Sequence, residues 1–433
     1  MWDSFIEAVT KVNDWVNGVV WGLPMIIMIL GTGILLTVRT RVLQVRKFGE
    51  SMSSTIVPAV KDMKKSKKGR DKKAVSQFEA FSAAISGTVG TGNIIGVTSA
   101  ILTGGPGAVL WMWISAFFGM VTNYSENVLG LYYRKKEKDG SFSGGAFYYI
   151  AYGIKQRWLG MLAAIFCLLA AVGMSGVQTN KITGSYTSVL NNDSAAVKLI
   201  IGGIVAFLAA VVIIGGIKRI GRIASMLVPF MSLLFIAMAF VIIGKNYTAI
   251  PDTFRLIFTS AFSSKAVAGG VGGFAFSQII KKGLARGVFS NEAGLGSSVI
   301  AHSASETREP VKQGLWGIFE VFFDTFVICT LTALVILTTN IGSGAYQSGT
   351  FFGTTDAAGN FAGASDSATA LSAFSSNLGT FGTVTFLIIL PLFAFTTVLA
   401  WSYYGEKAVD FCFHHLPESK RKIPVLIFKI IFI

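Results

Sequence analysis

Two glycine-rich stretches hold the residues with which this chain could bind a small solute. The first is SGTVGTGN, Ser86 to Asn93, and the second is AGGVGGFAFS, Ala268 to Ser277. Glycine inside a helix costs about 0.5–1 kcal/mol relative to alanine, so such clusters weaken a helix where they fall. A helix that opens within a membrane frees N–H and C=O groups, which must then be buried in protein or face a polar cavity. Freed carbonyls suit a small hard cation, and exposed helix N-termini attract an anionic group such as a carboxylate. Thr91 and Asn93 add a hydroxyl and an amide at the first cluster. Close packing of small residues would explain either cluster alone. The two clusters together, with Thr91 and Asn93, favour a binding site. Gly90-x-Gly92-x-x-x-Gly96 also has the look of a loose dinucleotide loop, but it lacks the flanking strand and the acidic residue about 20 positions on.

The elements that must position these residues are membrane helices. Of 433 residues, 52% are apolar and 14% charged, with a mean hydropathy of +0.62; soluble proteins carry about 25% charged residues. Apolar runs of roughly 20 residues, enough to cross a hydrocarbon core of about 30 Å, recur along the chain. An N-terminal span near 18–38 is expected, followed by eight core helices near 74–102, 108–133, 158–188, 198–216, 223–244, 266–289, 314–338 and 380–404. The two glycine clusters then fall in core helices 1 and 6, corresponding places in two halves, which is the sequence pattern of a transporter binding site.

Basic residues alternate between loops. Twelve lie in 39–73, six in 134–157, three in 218–222, five in 281–312 and four in 407–422, against none in 338–380. Positively charged loops stay cytoplasmic, so these are expected inside and the N-terminus outside. The net charge of +15 thus reads as orientation in a cell membrane rather than nucleic-acid binding. The opening MWDSFIEAVTKVNDW reads as an amphipathic interfacial helix, with no cleavable signal peptide apparent.

Other reactive side chains form no recognisable constellation. Cys167, Cys329 and Cys412 lack paired spacing, and His302, His414 and His415 lack ligand-like companions. No nucleophile–base pair, zinc cluster or phosphate loop argues for an enzyme or a cofactor. A channel would need a continuously lined pore rather than two isolated breaks. Asp324, Glu126 and Glu292 are intramembrane acids, candidates for function or for gating, without an evident proton-relay partner.

The stretch GTVGTGNIIGVTSAILTGGPGAVLWMWISAFFGMVTNYSENVLGLYYR resembles a signature of the alanine or glycine:cation symporter family. KGLARGVFSNEAGLGSSVIAHSASETREPVKQGL resembles its second signature, with FDTFVICTLTALVIL following in order. The resemblance runs from about Trp21 to the C-terminus. It implies an all-α polytopic membrane protein of the leucine-transporter type. Residues 1–73 would hold a peripheral helix and basic loop, 74–250 a first repeat and 251–433 an inverted second repeat. It further implies uptake of a small neutral amino acid, alanine or glycine, coupled to sodium or alternatively to protons. Thr91, Gly92, Asn93, Gln178, Gly272 and Gly273 would meet the substrate, with Phe274 as an apolar wall. Sodium would lie between Ser86 and Val89 of core helix 1 and the hydroxyls of Thr396 and Thr397 in core helix 8.

Some residues depart from the family pattern. Phe276 stands where a small residue is usual and would close the pocket to larger side chains. Asn123 replaces a lysine, and Glu320 is an added acid. The final KRKIPVLIFKIIFI is about half a span, so two core helices are expected to be missing through truncation. A sensor that keeps the fold without transport is the alternative function. The expected partners are the amino acid, sodium and lipid; the sequence assigns no oligomeric state.

Overall fold

A capping box opens the helix that carries the first glycine cluster. Ser76 Oγ accepts from the Glu79 N–H (3.1 Å) and Glu79 Oε2 accepts from the Ser76 N–H (3.0 Å), pairing two otherwise orphan donors. The computed structural model describes residues 2–55, 75–137, 140–190, 192, 194–262, 270–343, 354–355, 361–362 and 366–433. The described chain is helical almost throughout. Helices α1 (Trp2–Val20) and α2 (Leu23–Arg39) lead to α3 (Gln77–Thr88), a π turn at Gly92–Gly96, and α4 (Val97–Gly104). There follow α5 (Ala108–Tyr133), α6 (Ala146–Gly153), α7 (Arg157–Leu190), α8 (Ala195–Ile213), α9 (Gly216–Lys245) and α10 (Ile250–Ala261). The last five are α11 (Gly270–Asn291), α12 (Ser298–His302), α13 (Pro310–Gly342), α14 (Asp366–Cys412) and α15 (Glu418–Phe432).

Among the described residues, six helices are long and apolar enough to cross a membrane, or seven if the bent pair α3–α4 is one span. Their outer faces are apolar and exposed, as with Leu199, Ile200 and Phe207 on α8. A helix that is hydrophobic on its exposed side belongs against lipid. Helix α13 contains a π segment at Phe322–Cys329, a distortion common at functional sites. Helix α14 is interrupted at Gly379 (φ 58°, ψ −141°), which separates a helix over 366–378 from the long span over 380–412.

The spans expected at 108–133, 158–188, 198–216 and 223–244 are present with small shifts. Helix α10 was not foreseen. The larger correction concerns the second break. The described part of AGGVGGFAFS, from Gly270 on, is α-helical and continues to Asn291; Ala268 and Gly269 lie outside the described residues. The chain instead leaves the helix at Glu292–Ser297, where Glu292 (φ 56°), Gly294 (φ 91°) and Gly296 (φ 71°) take left-handed backbone conformations. Glycine adopts these without steric cost, whereas a left-handed residue cannot continue a right-handed helix. Paired glycines alone, with their backbone bonds satisfied inside the helix, do not break a membrane span.

The two interrupted helices lie side by side and run in opposite senses. Helix α4 packs on α11 and α3 on α12. Gly104 is beside the Lys282 side chain at one end, and Val75 bridges to Ser305 at the other. Lys281, Lys282 and Arg286 therefore belong to the Gly104 end, not with Arg308 and Lys312 as their loop position suggested.

Candidate binding site at the paired helix breaks

Val89 (φ −82°, ψ 91°) is extended and stops α3, and α4 departs at 45° to it. The turn between them is held from three directions. From α7, Gln178 Oε1 accepts from the Thr91 hydroxyl (2.7 Å) and the Thr91 N–H (3.2 Å). Its Nε2 has no partner among the described residues. Within the turn, Asn93 Oδ1 accepts from the Gly90 N–H (2.9 Å). The Asn93 Nδ2 donates across to Asp324 Oδ1 (2.5 Å) on the π segment and to Ser290 Oγ (3.1 Å) at the end of α11. Asn93 and Asp324 are fully buried. One amide thus ties the first break to the last turn before the second, and to the distorted part of α13.

The fourth wall is α14. A Cβ on Gly90 would lie 2.5 Å from Thr397 Oγ1 and 3.3 Å from Gln178 Nε2, so only glycine allows α7 and α14 to approach the turn this closely. Thr397 Oγ1 donates to the Phe393 carbonyl (3.0 Å). Thr396 bonds the Leu392 and Phe393 carbonyls (3.0 Å each) and lies 3.7 Å from Met231 Sδ, on the side of α9. Ser86 Oγ donates to the Ala83 carbonyl (2.8 Å), and Val89 is buried. Of the residues expected at a cation site, Thr397 is the hydroxyl set against the break.

The structure does not bring all the expected residues together. Thr91, Gly92, Asn93, Gln178 and Thr397 converge. The side chains of Phe274 and Phe276 lie outside the described residues. The backbone of Gly272, Gly273, Phe274 and Phe276 is α-helix, and at 1.5 Å per residue Phe276 is roughly 20 Å along α11 from Ser290, which touches Asn93. That distance separates them from the Asn93 turn.

Several participants were missed in the sequence. Ser290 and the 292–297 break carried a signal in SNEAGLGSS, where two glycines follow a Ser-Asn pair. Arg286 gave none; its guanidinium donates to the Gly92 carbonyl and occupies the space that a Cβ on Gly96 would need. His302 does have companions. Its Nε2 is 2.9 Å from Glu320 Oε2 and its Nδ1 2.6 Å from Gln313 Nε2, with all three residues fully buried. Glu292 accepts from Ser297 Oγ, and Glu126 accepts from the Gly294 N–H (3.1 Å), so both acids brace the second break. Asn123, with Asn127 Nδ2 donating to its Oδ1 (2.8 Å), belongs to the α5–α12 contact instead.

Interrupted membrane helices that run antiparallel, with freed backbone and buried polar side chains at the breaks, define a transporter of the secondary active class. Residues 6–433 match the Sodium:alanine symporter family, and the chain belongs to it. It is 39% identical to the sodium/alanine symporter AgcS of Methanococcus maripaludis over 96% of this chain and 85% of that one. It is 34% identical to the amino-acid carrier protein AlsT of Bacillus subtilis over 89% of this chain and 75% of that one. In structure it is similar to MhsT in complex with L-phenylalanine, with a TM-score of 0.54, 14% identity, and coverage of 84% of this chain and 79% of that one. That likeness gives the leucine-transporter type of fold.

Proposed function

We propose that this chain takes up a small neutral amino acid, alanine or glycine, in symport with sodium. The observation that carries the reading is the convergence at the first break: the Thr91–Gly92–Asn93 turn, Gln178 from α7 and Thr397 from α14. The amino acid would lie against Thr91, Gly92, Asn93 and Gln178, whose Nε2 is available to a carboxylate. Sodium would lie between the Ser86–Val89 end of α3 and Thr397, with Thr396 supporting the adjoining turn. Hydroxyl and carbonyl oxygens suit a hard cation. In this reading 74–250 and 251–433 are inverted repeats behind a peripheral N-terminal unit (1–73), and the antiparallel breaks support that arrangement. The cell membrane of a bacterium or archaeon would hold the N-terminus outside.

The test is uptake of labelled alanine and glycine into proteoliposomes under an inward sodium gradient. Thr397→Val, which keeps shape and removes the hydroxyl, should reduce sodium stimulation about tenfold or more. Unchanged stimulation in that variant would remove the cation from this position. The buried His302–Glu320 pair favours a second reading, proton coupling. A proton gradient without sodium would then drive uptake, and Glu320→Gln would abolish it.

A further inference from the structure

The cationic side chains of α11 surround a cavity of about 510 Å3 that, among the described residues, no carboxylate lines. Lys281, Lys282 and Arg286 share it with Ser99 and Thr103 of α4 and with Trp21 from the α1–α2 junction. Among the described residues none of the three cations has an ion pair. Asp324 and Asp366 act on Arg286 only at a distance. The guanidinium is held by the Gly92 carbonyl and by the Phe289 ring, whose centroid is 5.0 Å away. Its Nε is buried without a partner.

Three like charges around one concavity, beside a membrane span, are costly unless something compensates them. We propose that this cavity is a binding site for a small oxyanion group, a carboxylate or phosphate, held by Arg286, Lys281 and Lys282 with hydroxyl support from Ser99 and Thr103. A guanidinium suits such oxygens, and the lysines add charge without demanding geometry. Basic pockets between membrane helices take lipid headgroups in this way. The anion could equally be free in solution. Because the same guanidinium holds the Gly92 carbonyl, whatever fills the cavity also acts on the first helix break.

The full chain in phosphatidylcholine nanodiscs, with or without phosphatidylglycerol, provides the test against the double variant Lys281→Gln/Lys282→Gln. Native mass spectrometry should find phosphatidylglycerol retained about tenfold more by the wild-type chain if the group is a headgroup. If it is a free anion, inorganic phosphate should raise the melting midpoint of the wild-type chain in phosphatidylcholine alone, and not that of the double variant. Lys282→Gln by itself, an exposed change, should give an intermediate loss and covers poor folding of the double variant. Equal lipid retention and equal phosphate response in wild type and variants would overturn the proposal.

Discussion

Gln178 supplies one oxygen to two donors of the same residue, Thr91, and so fixes how far the first break opens. Deleting a buried acceptor costs more than its net bond, because the stranded donors lose water as well. Gln178→Leu should therefore lower stability by about 1–3 kcal/mol and weaken alanine binding ten- to a hundredfold, near 1.4 kcal/mol per decade. Thr91→Ser keeps both donors and should behave like the wild type. Melting midpoints paired with equilibrium binding of labelled alanine separate the outcomes. A Gln178→Leu chain that melts lower yet binds normally would make the residue a brace rather than a substrate contact. Asn93 differs in kind: its Nδ2 donates to Ser290 and Asp324 and its Oδ1 accepts from Gly90, so it sets the shape of the site and offers substrate only the second lone pair of Oδ1.

At the scale of the element, the second break should answer to Gly294 and Gly296 and ignore the earlier glycine cluster. Gly294 has φ 91°, where a Cβ costs about 1–2 kcal/mol. Gly294→Ala should lower the melting midpoint and impair uptake. Gly273→Ala, in helical backbone, should leave the midpoint unchanged or raise it, since alanine is favoured there by about 0.5–1 kcal/mol. The reverse pattern would return the break to AGGVGGFAFS. The contrast explains what was legible in the sequence. The first break could be read because Gly90, Thr91, Gly92 and Asn93 combine helix weakness with groups that use the opened backbone. The second could not be read, because glycines do not by themselves unwind a helix, while the left-handed turn at Glu292–Gly296 depends on long-range partners such as Glu126. Span lengths were legible from hydropathy alone. The Asn93–Asp324 tie and Arg286 over Gly96 were not, because contacts across about 200 residues of chain leave no local pattern; the His302–Glu320 pair spans only 18 residues but joins α12 to α13, so no helical spacing announces it.

Whole-molecule organisation sets the two ends apart. One end gathers Arg134, which donates to the Ser303 and Ser305 carbonyls, Lys407 on Ser143, and Gly221 against Glu79. There α15 is held by Arg421 to Asp410 (3.2 Å), with His414 wedged between Arg421 and Lys135. Burial, then the Lys135 and Arg421 charges, lower the His414 pKa from its usual 6.5, against the opposing pull of Glu137 and Asp410. A histidine depressed in the fold contributes stability above its unfolded pKa and loses it as pH falls. Hydrogen-exchange protection of α15 should therefore fall as the pH drops below about 6.5, and His414→Gln should flatten that dependence. In the proposed orientation, the basic loops place this end in the cytoplasm, and Lys282, beside Gly104, would lie on the far side. In a chain with Cys167, Cys329 and Cys412 changed to alanine, Lys282→Cys should react with a membrane-impermeant maleimide on intact cells. Arg308→Cys should react only after permeabilisation, although just 26 residues separate the two positions. That span is α11, the break and α12 crossing once. Labelling of both from one side would mean the chain turns back at the break instead, and the antiparallel pairing with α3–α4 would fail with it.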